Sequence, residues 1–152
     1  VRLYSRPGND LTRRFPTIVA ALAGLRLRSC IIDGEAVACD ENGVACFDLI
    51  RHHRRDANVF LYAFDLIELN GDDLRRDPIE TRKTVLEKLL AKAGPSIRLN
   101  EHVEGDAATV FRHACQMGLE GIVSKRRGSP YRSGRSRDWI KLKNPNAPAV
   151  KR

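Results

Sequence analysis

The apolar residues of this chain fall into short runs with two different periods, and the changes of period predict its elements. FPTIVAALAGL predicts a short helix, with Pro16 at the first helical position and Gly24 near the end. SCIIDGEAVACDENGVACF predicts two strands joined by a turn at Asp40 to Gly43. A short helix is expected at DLIRHHRR. NVFLYAFDLIEL, rich in β-branched and aromatic residues, then predicts a central strand that ends at the turn NGDD.

DPIETRKTVLEKLLAKAG is the clearest helix, with Asp77 as N-cap, Pro78 in the first turn and Gly94 as the stop. Val85, Leu86, Leu89, Leu90 and Ala93 recur at helical spacing and should form its buried stripe. A further helix, DAATVFRHACQMG, starts at Asp106 and should bury Val110, Phe111, Ala114 and Cys115. It leads into a strand, LEGIVSK, a loop, RRGSPYRSGRSR, and a final strand, DWIKLK. At the N-terminus, RLYS reads as a strand running into the turn RPGND. Many strands joined by short turns predict an α+β fold with mainly antiparallel sheets flanked by helices, not a doubly wound one.

The 152 residues, 42% of them hydrophobic, suffice for one ordinary core. No apolar run approaches the roughly 20 residues that cross a bilayer, and VRLYSRPGND lacks a signal-peptide core. A cytoplasmic protein with no membrane partner is expected. The first residue is Val, which leaves a fragment, a processed product and an unusual start codon as alternatives. Charge changes the picture more. The net +8 is not spread evenly: residues 1–124 hold 17 Lys/Arg against 18 Asp/Glu, whereas residues 125–152 hold 10 against the single acid Asp138. A basic block that contains a Trp-bearing alternating strand favours a phosphate-facing surface over a merely solvated tail. In DWIKLK, Trp139, Lys141 and Lys143 would share one face, with Ile140 and Leu142 on the other.

Three further segments place acids or aromatics in apolar surroundings. IIDGEAV has Asp33 and Glu35 two apart, with Gly34 allowing close approach of a backbone or ligand. YAFDLIEL has Phe64 and Asp65 mid-strand, and LEGIVSK has Glu120 beside Gly121 with Lys125 beyond. Several carboxylates and lysines in one apolar domain would suit a divalent cation held between carboxylates and phosphate oxygens. There is no Walker-type loop and no G-x-G-x-x-G after a strand, so any nucleotide must be held by side chains on strands. Cys30, Cys39, Cys46 and Cys115 form no C-x-x-C pair and are expected as free thiols. His52, His53, His102 and His113 are scattered.

In order and spacing, SRPGND, IIDGEAV, YAFDLIELNG and LEGIVSKRRGSPYRSGRSRDWIKLKNP resemble the adenylation domain of ATP-dependent DNA ligases, especially the bacterial end-joining kind. The resemblance covers nearly the whole chain. It implies the ATP-grasp-like nucleotidyltransferase fold, ATP with Mg2+ or Mn2+ as cofactors, and nicked double-stranded DNA as partner. The reaction it implies takes AMP from ATP, passes it to a 5′-phosphate and lets a 3′-hydroxyl displace the AMP. By the same resemblance, Glu35, Phe64, Lys141 and Lys143 bind nucleotide, Phe64 stacking on adenine and the two lysines holding the α-phosphate. Glu35 and Glu120 serve the metal. Arg6 and the loop residues Lys125, Arg126, Arg127, Arg132 and Arg135 face DNA. Taken alone, each of these residues also has a structural reading, Phe64 as plain core above all.

The family's covalent lysyl-adenylate forms on the lysine of K-x-D-G, upstream of the segment that matches SRPG. None of Lys83, Lys88, Lys92, Lys125, Lys141, Lys143 and Lys151 is followed by x-D-G, and Ile31 stands two before Asp33-Gly34. The expectation is therefore a partial adenylation domain over 1–146, with 147–152 opening a linker to an absent oligonucleotide-binding domain. No catalytic lysine is assigned, and independent activity is not expected. The alternatives are a non-catalytic nucleic-acid-binding remnant and one half of a split ligase completed by a complementing fragment.

Overall fold

The computed structural model describes residues 1–53 and 58–147. Along the chain run α1 (Pro16–Ala23), β1 (Cys30–Val37), α2 (Phe47–Arg51), β2 (Phe60–Leu69), β3 (Asp72–Asp73), α3 (Ile79–Leu90), β4 (Ile97–Leu99), α4 (Ala107–Gln116), β5 (Gly121–Lys125) and β6 (Trp139–Lys143). The chain divides into two units, Val1–Leu74 with Thr81–Asn100, and Arg75–Glu80 with Glu101–Arg152. Among the described residues, no helix is long and apolar enough to cross a membrane.

In the first unit the run predicted as central is central. β2 pairs antiparallel with β1 along its whole length, antiparallel with β3 at its end, and parallel with β4 from Leu61↔Ile97 to Ala63↔Leu99. The parallel pair needs a crossover, and α3 supplies it. Its predicted stripe packs as expected: Leu86 and Leu90 join Ala63, Leu66 and Ile97 in the core, with Val85, Leu89 and Ala93 against them. Leu66 and Leu86 have no exposure at all, and full burial of a leucine contributes about 1.5–3 kcal/mol. A second apolar cluster, Phe15, Ile18, Ala38 and Val59, sits under α1, whose Pro16 and Gly24 bound it as predicted.

Several expected elements are shorter than their sequence suggested. RLYS is reduced to a single bridge, Tyr4↔Asp10. The second strand of the predicted hairpin is likewise reduced to Cys39↔Ala45. Asp40 explains this: its Oδ1 accepts from the amides of Asn42 and Val44, tightening the turn, and α2 begins at Phe47 before a ladder can extend. The helix expected over DLIRHHRR is α2 alone, and positions 54 and 55 lie outside the described residues. α3 ends at Leu90, not at Gly94. β3 and β4 were not anticipated, because two or three residues are too few to show alternation.

The second unit joins α4 to an antiparallel ribbon of β5 and β6, running from Gly121↔Lys143 to Lys125↔Trp139. Asp106 caps α4 by accepting from the Thr109 amide at 3.1 Å. That bond, chiefly, holds the Asp106 carboxyl below its ordinary pKa. Ala114 is buried and Val110, Phe111 and Cys115 are half-buried, the predicted face. After β6, Asn144 is 2% exposed: its amide donates to the Glu120 carbonyl at 2.7 Å and its side chain to the Leu119 carbonyl at 2.9 Å.

Candidate functional site

The first unit carries Glu35 and Phe64 on adjacent strands. Gly34 is required where β1 meets β2, because a Cβ there would stand 2.6 Å from the Tyr62 carbonyl oxygen and 2.9 Å from Leu61 Cδ1. The close approach that Gly34 permits is thus to backbone. Immediately beside it the register steps from Asp33↔Asp65 to Gly34↔Ala63, so Phe64 is the extra residue of a bulge. Bulges re-aim side chains and break alternation, and Phe64 accordingly remains half-buried between the buried Ala63 and Asp65. Glu35, opposite Tyr62, is exposed. Asp65 has a different role: both its oxygens bind Arg82, at 2.7 Å from Nε and 3.0 Å from Nη2, and it also accepts from the Leu66 amide. It is a structural anion tying α3 to β2. Arg6 is exposed on the Ser5 to Asn9 turn of the same unit.

In the second unit the ribbon register brings cations together. Directly opposed residues share a face, so Lys125 and Trp139, Val123 and Lys141, and Gly121 and Lys143 all lie on one side. Trp139, Lys141 and Lys143 therefore share a face as predicted, and Lys125 joins them from β5. The Lys125 ammonium sits 4.2 Å from the centre of the Trp139 ring, and Tyr131 meets that ring edge-on at 5.5 Å. Lys141 and Lys143 are exposed. Gly121 makes this ribbon possible, since a Cβ there would stand 2.0 Å from the Leu142 carbonyl oxygen. On the other side Leu142 is half-buried, but Ile140 is 55% exposed.

Arg126, Arg127, Gly128, Ser129, Pro130 and Asp138 line a cleft of about 250 Å³ at the base of the connecting loop. Arg126 and Arg127 reach Asp138 and Glu104 only at 3.6 Å each, with both guanidinium groups largely in solvent. Exposed pairs of this kind contribute about 0–1 kcal/mol and yield readily to phosphate. Arg132 and Arg135 are exposed further along the loop.

Sequence reasoning missed the residues that hold these groups. Asn144 fixes the backbone of Leu119 and Glu120, leaving the Glu120 side chain exposed at the start of β5; the turn-forming Asn-Pro pair was its only signal. Glu80 accepts from the Gly128 amide with both oxygens, at 2.9 and 3.0 Å, across 48 positions. In sequence, Glu80 stands only in the first turn of the helix that Asp77 is expected to cap.

Among the described residues no group of three or more His, Cys, Asp or Glu could hold a metal ion. Glu35 and Glu120 are single exposed carboxylates, one in each unit. Such donors suit a cation that arrives on nucleotide phosphates and keeps its waters, as Mg2+ does, and not one enclosed by protein.

A lysine-bearing ribbon with a stacked tryptophan, and an α+β sheet with a glycine-forced crossing beside an aromatic bulge, are features of an α+β nucleotidyltransferase fold. The chain belongs to the ATP dependent DNA ligase domain family, whose pattern it matches over residues 1–143. It is 42% identical over 147 residues to the multifunctional non-homologous end joining protein LigD of Pseudomonas aeruginosa, covering 94% of this chain and 18% of that one. It is 36% identical over 151 residues to the corresponding DNA repair protein LigD of Mycobacterium tuberculosis, covering 99% and 20%. The chain thus spans about a fifth of the length of these relatives. The crystal structure of the ligase domain from M. tuberculosis LigD superposes with a TM-score of 0.78 at 36% identity, over 93% of this chain and 47% of that domain. A mycobacterial DNA ligase D complexed with ATP and MES matches with the same TM-score at 35% identity and the same coverage.

Proposed function

We propose that these residues bind ATP and nicked double-stranded DNA as part of a bacterial end-joining type DNA ligase. The observation that carries this reading is the shared face of Lys125, Lys141 and Lys143 beside Trp139. Three ammonium groups on one surface, with a single acid in the whole of residues 125–152, suit a chain of phosphates. Lys141 and Lys143 hold the α-phosphate, and Phe64 stacks on adenine, a use that a bulge-displaced aromatic serves well. Glu35 contacts ribose or metal, and Glu120 a Mg2+ or Mn2+ brought by the nucleotide. Arg6, Lys125, Arg126, Arg127, Arg132 and Arg135 meet DNA phosphates.

No lysine in these 152 residues stands in K-x-D-G, so the amine that attacks the α-phosphorus comes from elsewhere, either the same polypeptide or a complementing fragment. Without an amine aimed in line, binding does not become transfer. The test is incubation with radiolabelled ATP and Mg2+. Reversible binding that disappears in the Lys141→Gln, Lys143→Gln double variant, with no alkali-stable, acid-labile label left on the denatured protein, is the expected result. Failure to bind ATP at all, or an alkali-stable, acid-labile lysyl label, sinks this reading.

A further inference from the structure

The loop after β5 is held at two points by the short segment that opens α3. Glu80 accepts from the Gly128 amide through both carboxylate oxygens, and the Arg75 carbonyl accepts from the Tyr131 amide at 2.8 Å. Between these points the Ser129 amide donates to the Arg126 carbonyl, closing a turn whose Gly128 has φ of 73°, a conformation that favours glycine. Tyr131 in turn packs edge-on to Trp139, over which Lys125 lies. Arg126 and Arg127 lead into this turn, with their ion pairs to Asp138 and Glu104 at 3.6 Å each.

We propose that Glu80 is a positioning residue for the cationic ribbon: it fixes the Gly128 turn, and through Tyr131 the Trp139–Lys125 stack, in the arrangement that meets nucleic-acid phosphate. This rests on the DNA-binding reading above for its ligand, but its direction runs against simple electrostatics. Glu80 is an acid among basic residues, so its removal should strengthen DNA binding if charge alone mattered. As a positioning residue, its removal weakens it.

The test compares the parent chain with Glu80→Ala and Glu80→Gln by anisotropy of a labelled nicked duplex and by emission of Trp139, the only tryptophan. Glu80→Ala is expected to bind about fivefold more weakly and to shift the Trp139 emission. Glu80→Gln loses the same charge but keeps an oxygen for the Gly128 amide, and is expected to bind at least as tightly as the parent with parent-like emission. If the alanine variant does not fold, Glu80→Asp, one methylene too short to reach Gly128, takes its place with the same expected direction. Unchanged Trp139 emission, or a nick affinity equal to or above the parent's, in the alanine or aspartate variant overturns the proposal. A parent chain that binds no nick refutes the DNA reading instead, and the emission comparison, which needs no nucleic acid, still decides whether Glu80 holds the stack.

Discussion

Asp65 on β2 and Arg82 on α3 meet as a two-point ion pair with neither side chain exposed. Removing one partner strands a buried charge, which costs roughly 3–5 kcal/mol, whereas replacing both by apolar groups of similar volume is often neutral. Arg82→Met alone should therefore lose about that much stability in urea denaturation, and the double change Asp65→Leu, Arg82→Met should recover most of it. A double variant as unstable as the single one would show that the pair does more than fill and neutralise its site.

Gly121 faces the Leu142 carbonyl so closely that any Cβ must displace β6. Gly121→Ala should cost about 3 kcal/mol, from backbone strain and overpacking together. Because the displaced strand carries Trp139, the loss should appear in tryptophan fluorescence during denaturation. Gly118→Ala, at a turn glycine with open space around it, should cost less.

Lys141 and Lys143 are exposed and on one face. Each charge-assisted bond to phosphate contributes roughly 1.5–3 kcal/mol, so Lys141→Gln or Lys143→Gln should weaken ATP binding by about tenfold or more in calorimetric titration. The salt dependence of DNA binding should become shallower in the same variants. An unchanged ATP affinity in both would place the nucleotide away from this ribbon.

Lys83 is held below its ordinary pKa of 10.5, mainly by burial, with Asp65 partly opposing the shift. The unfolded chain then binds more protons than the folded one between the lowered value and 10.5, so this group's contribution to stability rises with pH across that window. Lys83→Met removes the titration. Its stability relative to the parent should be highest below the window and fall as pH rises towards 10.5, measured by urea denaturation at a series of pH values. A constant difference would show that Lys83 titrates alike in both states.

What the chain's pattern revealed depended on whether a residue's neighbours in space were also its neighbours in sequence. The α3 stripe, the Asp106 cap, Pro16 at the first helical position, and the shared face of Trp139, Lys141 and Lys143 are local properties, and each could be read directly. Glu80 and Asn144 act on backbone groups 48 and 25 positions away, and no local pattern marks such a bond. Asp65 looked like a candidate acid because its guanidinium partner lies 17 positions on. β2 was read from composition and not from alternation, for its core-facing positions Ala63, Leu66 and Leu69 step by three, which is closer to a helical than to a strand period.

The ten residues of β2 fill a ladder of eight in β1, and the two surplus positions, Phe64 and Ile67, cancel in parity. Deleting Phe64 alone would make the strand locally regular and leave the pairs of Phe60 to Ala63 with β1, and so their faces, unchanged. Deleting Phe64 and Ile67 together would make the whole ladder regular and leave a flush, quiet sheet with nothing displayed at its middle. The irregularity is thus the one part of this strand that length variation can erase without erasing the fold.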